Sequence, residues 1–236
     1  MPDSVLAWHF LSSDRHTRRE LGYPRPILVE VGQSLTEDRP LKMCKVGLHA
    51  SVRALDALQY APGPVVCRVR LEGEVLYDKD KLCASERTVL AMADASAVLH
   101  EFACWCADEA LYAERGAGRE PDPRSWAAVE AKRAWLKGEI GSDALDAASA
   151  AASAASWAAA WAAARAAAMA AAWAAARAAA WDAAWDAAEG YTKRDAQNSE
   201  LETRLLALLG IGKDEPDARV QPSPGGDEAS RNRGAV

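Results

Sequence analysis

The sequence predicts an α+β fold: a head made of a small mixed or antiparallel sheet with packed helices, then one long alanine-rich helix and a disordered tail. Three observations carry this. Short apolar runs with period-two alternation fill the first block. The stretch that follows shifts to helical spacing. Between Ala144 and Ala188, 30 of 45 residues are alanine, the residue with the highest helix propensity.

Taken in order, Val5–Leu11 (VLAWHFL) and Pro26–Val31 (PILVEV) are compact apolar runs bounded by turn residues, and both read as strands. In GLHASVRALDALQYAPGP, Ser51 is placed to cap a short helix that buries Leu55 and Leu58, and Pro62-Gly63-Pro64 stops it. Val65–Tyr77 alternates over Val65, Cys67, Val69 and Leu71, with Arg68 and Arg70 on the other face, as in a half-buried strand. From Ser85 to about Gly138 the spacing of Val98, Leu99, Phe102, Trp105 and Tyr112 reads as helix. A loop at Arg115–Ser125 interrupts it, and a second helix begins at Ser125 with Trp126 and Val129.

Residues 1–140 form the expected head. Residues 141–190 form a single helix capped by Ser142 and closed by Gly190 as its C′ residue, about 70 Å long at 1.5 Å per residue. A short helix over 191–210 and a disordered, Pro/Gly-rich tail over 211–236 complete the chain. Within the tract, Leu145, Ser149, Ser153, Trp157, Trp161, Arg165, Met169, Trp173, Arg177, Trp181, Trp185 and Glu189 share one four-residue grid. Each step of four overshoots a helical turn by about 40°, so the grid winds around the rod and makes no heptad seam. Trp157, Trp161, Trp173, Trp181 and Trp185 are the expected interaction residues of a spacer or self-association helix.

Composition narrows the function classes. The net charge is −6 without a basic run, so nucleic acid is not an expected partner. Arg165, Arg177, Asp182 and Asp186 make the tract expensive in a bilayer, and no membrane span is expected. The five cysteines, with no secretory signal at the start, fit reduced thiols in a cytoplasm. His100-x₃-Cys104-x-Cys106 reads as buried small side chains, because Cys106 lies about 200° around a helix from Cys104. No metal is expected.

The remaining constellation is His9, His49, Tyr60 and Glu86. A strand histidine can orient a ribose and a tyrosine can stack on a planar ring. A carboxylate can stabilise positive charge developing on a ribosyl centre. The order LAWHFLS, GLHASVRALDALQY, VVCRVRLEGEV resembles the core of ADP-ribosyltransferases of the poly-ADP-ribose polymerase type over about 75 residues. That resemblance implies NAD as cofactor, with His9 as the nicotinamide-site histidine, His49 in place of the first tyrosine, Tyr60 as the stacking tyrosine and Glu86 as the carboxylate. Phe10-Leu11 stands where such enzymes carry Gly-Ser/Thr.

A second resemblance spans 5–209. The motifs AWHFL, GLHAS, ALDALQYAPGPVVCRVRLEG and DKLCASERTVL, with the Trp/Asp/Arg-dotted alanine repeats, are similar to an uncharacterised family of bacteriophages and high-GC bacteria. It implies an accessory phage or prophage product in the bacterial cytoplasm. The leading expectation is a non-enzymatic binding or interaction module without a cofactor. A divergent NAD-dependent transferase is the alternative, and a virion component is a third.

Overall fold

Two 13-residue strands, β4 (Val65–Tyr77) and β5 (Leu82–Asp94), form the antiparallel hairpin on which the rest is assembled in this computed structural model, which describes residues 4–17, 26–155 and 190–213. β1 (Val5–Leu11) pairs antiparallel with β4, His9 facing Cys67 and Leu11 facing Val65. The other edge of β5 receives two short strands, β2 (Ser34–Thr36) and β3 (Leu48–Ala50), both antiparallel. The α+β class, with an antiparallel sheet, is therefore as the sequence predicts.

The sheet then curls until its ends meet. Just beyond β3, the Ser51 N–H donates to the Trp8 carbonyl at 2.9 Å, and the Trp8 N–H donates to the Ser51 carbonyl at 2.7 Å. This pair joins the free edge of β1 to the end of β3, so the path β1–β4–β5–β3 returns to β1. Register shifts at Arg68/Val69 and Glu72/Val75 supply the bend such closure needs.

The alternation along β1 sorts its side chains between two cores. Ala7 and Leu11 join Val65, Cys67, Val69, Leu71, Leu82 and Leu48 on one side of the sheet. Trp8 and Phe10 face the helices on the other side, among Leu55, Leu58, Leu99 and Phe102.

Five helices are described. α1 (Ala54–Gln59) follows β3, α2 (Ser96–Gly116) follows β5, and α3 (Pro123–Leu136) and α4 (Ser142–Ala155) stack outward from α2. α5 (Gly190–Leu209) returns to the head and buries Leu201 and Leu205 completely among Trp8, Leu58 and Phe102. It also supplies what α1 lacks. The N-cap of α1 is Arg53, whose side chain makes no cap bond. Instead Asn198 Oδ1 accepts from the Leu55 N–H at 3.1 Å and Glu202 Oε1 from the Ala54 N–H at 3.4 Å. Arg194 then bonds Asp56 at 2.8 Å, and Arg53 bonds Asp195 at 2.8 Å.

Several expectations are corrected. Pro26–Val31 is not a strand: its Leu28 makes a single bridge with His16, and the strand comes later, at Ser34–Thr36. Pro26 lacks the N–H a ladder needs, and a turn at Gly32 (φ +83°) ends the segment. The region from Ser85 to Asp94 is strand, because pairing with β4 along its whole length overrides the helix propensity of its Ala, Met, Leu and Glu. Ser51 is not the cap of α1, whose N-cap position is Arg53; its backbone pairs with Trp8 instead. Arg68 does not face solvent; it is 8 % exposed and lies 4.6 Å over the Trp8 ring. α3 starts at Pro123 with Asp122 as its cap, accepting from the Arg124 N–H at 2.9 Å. Gly190, expected as a C′ residue, is the first residue of α5; the residues before it lie outside those described. The single helix expected over 141–190 is described only to Ala155, so its continuation and the interaction tryptophans Trp157, Trp161, Trp173, Trp181 and Trp185 lie outside the described residues, as does the tail from 214. Among the described residues no helix is long and apolar enough to cross a membrane.

The α2–α3 interface holds an uncommon group. Lys132 is 1 % exposed, its Nζ makes no hydrogen bond among the described residues, and it sits 3.9 Å from the centre of the Trp135 ring. A cation–π contact is its compensation. His100 meets the same Trp135 edge-on at 5.4 Å. Burial, and then the neighbouring Lys132 charge, lower the His100 pKa to about 4.

Two outcomes follow from this packing. Leu205→Ala should lower the unfolding free energy by about 2–5 kcal/mol and Asn198→Ala by about 1 kcal/mol in urea titrations; a neutral Leu205→Ala would mean α5 is not part of the core. His100 is held neutral in the fold, so its contribution is present above pH 6.5 and is lost as pH falls through about 4. His100→Gln should therefore flatten the acid limb of a pH–stability curve, by up to about 3 kcal/mol, and unchanged curvature would contradict the buried neutral ring.

Candidate functional site

The junction that closes the sheet also opens a cavity of about 250 Å³. β1 brings His9 and Leu11 to it, the loop before β3 brings Cys44, β3 itself brings His49, the end of α1 brings Tyr60, and β5 with the turn before it brings Arg87 and Lys81. Three of the four residues expected to form a site, His9, His49 and Tyr60, thus line one cavity. The fourth does not. Glu86 stands opposite Thr36 and Glu72 in the β5 ladder and is not part of the lining; its neighbour Arg87 points in instead.

His9 reaches the cavity because it shares the alternation of Ala7 and Leu11, as its position in the strand implies. Burial, then the Arg87 and His49 neighbours, keep its pKa well below the ordinary histidine value, and the His49 carbonyl offsets this only in part. His49 is fixed by the loop before it. The Cys44 N–H donates to His49 Nε2 at 3.0 Å, so the proton of the neutral ring is assigned to Nδ1. Burial lowers this histidine too; the Gly47 carbonyl works against it, while Arg87 and Lys81 reinforce it. Both imidazoles are neutral at pH 7.

That loop is tightly specified. Cys44 has φ +63°, uncommon for a residue with a Cβ. Gly47 has φ +121°, and a Cβ there would lie 2.3 Å from Cys83 Sγ. Only glycine fits.

Arg87 is 2 % exposed and its Nη1 donates to the His49 carbonyl at 2.8 Å. Tyr60 is half exposed, its hydroxyl donating to Asp80 Oδ2 at 2.6 Å. Lys81 lies 4.8 Å over the Tyr60 ring and donates to its hydroxyl at 3.3 Å. Burial alone would lower the Lys81 pKa, but contacts with Tyr60 and the Cys44 thiol outweigh it and raise the value. Lys81, Arg87 and Cys44 were not among the residues singled out from sequence. An arginine in a strand and a lysine in a turn carry no local signal; the pairing of β3 with β5 is what brings them beside His49.

The cysteines divide sharply. Burial pushes Cys67, Cys104 and Cys106 up to about 12 and Cys83 to about 11. Cys44 is exposed. Near neutral pH, iodoacetamide should therefore modify one thiol per folded chain, Cys44, as read by peptide mass spectrometry; a second thiol reacting at a similar rate would contradict the packing described.

A family model described as a domain of unknown function (DUF7666) matches residues 5–101. That span contains β1 to β5, α1 and every cavity residue named above. No curated protein and no solved structure matches the chain.

Proposed function

We propose that this chain is a non-enzymatic binding or interaction module: the head takes a ligand in the cavity at the β1–β3 junction, and the tryptophan-dotted alanine tract spaces or self-associates the heads. The observation that carries the reading is the convergence of His9, His49, Tyr60, Lys81 and Arg87 on one cavity that has no carboxylate among the described residues lining it. Such a set recognises: with both histidines held neutral by burial and nearby cations, neither supplies a protonated acid near neutral pH. The tract's role rests on its sequence, in which Trp157 with Trp161 and Trp181 with Trp185 form i,i+4 pairs. The resemblance to phage and high-GC bacterial sequences supports an accessory role in a bacterial cytoplasm, with a protein partner or a second copy of the chain bound through the tract.

The second reading is a divergent NAD-dependent ADP-ribosyltransferase. It is favoured by His9, His49 and Tyr60 meeting in one place, as that chemistry requires. It lacks a carboxylate there, since Glu86 lies outside the lining.

Two measurements on the full chain separate the readings. Light scattering coupled to size exclusion should give a lower oligomeric mass when Trp157, Trp161, Trp181 and Trp185 are changed together to alanine; an identical mass would remove self-association. Incubation with NAD should release no nicotinamide. Release that disappears in both His9→Ala and Tyr60→Ala would overturn the binding reading in favour of the transferase.

A further inference from the structure

The binding reading leaves the chemical class of the ligand open, and the cavity's lining narrows it. At about 250 Å³ the space is below the range of about 300–1,000 Å³ that takes drug-sized ligands. A single ring with one substituent fits; a whole dinucleotide does not. Charge decides the substituent. Lys81 and Arg87 face the cavity from the β5 side, and acids bonded to lining residues lie outside it: Asp80 accepts from Tyr60 at 2.6 Å, Asp78 sits 3.9 Å from Lys81 Nζ and Asp14 3.6 Å from His16 Nδ1. Three neighbouring groups register a positive potential here. The Arg87 charge disfavours the protonated forms of His9 and His49 and favours the ionised form of Cys67, although burial wins for that thiol. The remaining walls are largely flat or apolar, with the Tyr60 ring, Pro62, Leu11, Ala50 and Ala57, and carry the polar side chains of His16, Thr17, Cys44 and Ser51.

We propose that the cavity at the β1–β3 junction binds a small organic anion, a carboxylate or phosphate monoester on a flat apolar body, with Lys81 and Arg87 facing the anionic group. This rests on the cavity being the binding site of the head. Partial enclosure strengthens the attraction, since a cation shielded from bulk water acts through a lower effective dielectric. Charge-assisted hydrogen bonds from an ammonium and a guanidinium to one anion are the strong kind. The neutral imidazoles of His9 and His49 add polarity without a competing negative charge, and the half-exposed Tyr60 marks the open side.

Shape-matched probes test this directly. Benzoate, phenyl phosphate and benzamide are titrated into the full chain by calorimetry, and the rate at which Cys44 reacts with iodoacetamide reports whether the cavity is occupied. The expected result is that benzoate or phenyl phosphate binds at least about tenfold more tightly than benzamide and slows Cys44 alkylation. Lys81→Met should weaken that binding by about tenfold. The stronger of the two anions identifies the class as carboxylate or phosphate ester. Benzamide binding as tightly as benzoate, with protection of Cys44, would overturn the anion assignment while leaving the cavity as the head's site. Absence of binding and protection by all three would overturn both.

Discussion

The two backbone hydrogen bonds between Trp8 and Ser51 are the constraint on which the rest of the head depends. A strand at a sheet edge exposes a row of unpaired donors and acceptors, and β1 has β4 on one side only. By taking Ser51 on the other side, β1 gives up part of its edge and fixes β3 beside it. His9 and His49 belong to strands that are not neighbours in the ladder order, yet they line one cavity because of this junction. The same junction sets where α1 begins, and hence where Tyr60, the residue that follows its last turn, comes to stand.

A second constraint acts from the far end of the chain. α1 begins without a cap of its own, and its first free N–H groups are satisfied by Asn198 and Glu202 of α5. Leu201 and Leu205 of that helix fill the space between Trp8 and Phe102. The alanine tract is thus flanked by two helices of one head, α4 seated on α3 and α5 seated on α1 and α2.

What could be read from sequence follows the range of the forces involved. Period-two alternation located β1 and β4, and helical spacing located α2 and α3, because each pattern is local and repeats several times. β5 was not legible: LCASERTVLAMAD carries good helix formers, and only its pairing with β4 makes it a strand. Glu86, the carboxylate of the expected constellation, stands on that strand, where Arg87 is the residue that lines the cavity. His9, by contrast, lies on a strand that the sequence does mark, and its alternation with Ala7 and Leu11 carries it to the cavity. The caps show the same division. Asp122 sits three residues before Ser125, the position expected for the start of α3, a small error in a local rule. The capping of α1 by Asn198 connects residues more than a hundred positions apart, and no local rule anticipates it.

Amide hydrogen exchange at Trp8 and Ser51 in the full chain tests the central claim most directly. If β1 and the end of β3 are joined as described, both amides should be protected as strongly as those of the β4–β5 ladder, since their local opening requires the closed sheet to part. Exchange of both at the rate of an open strand edge, with the β4–β5 amides still protected, would contradict closure and with it the shared cavity of His9 and His49.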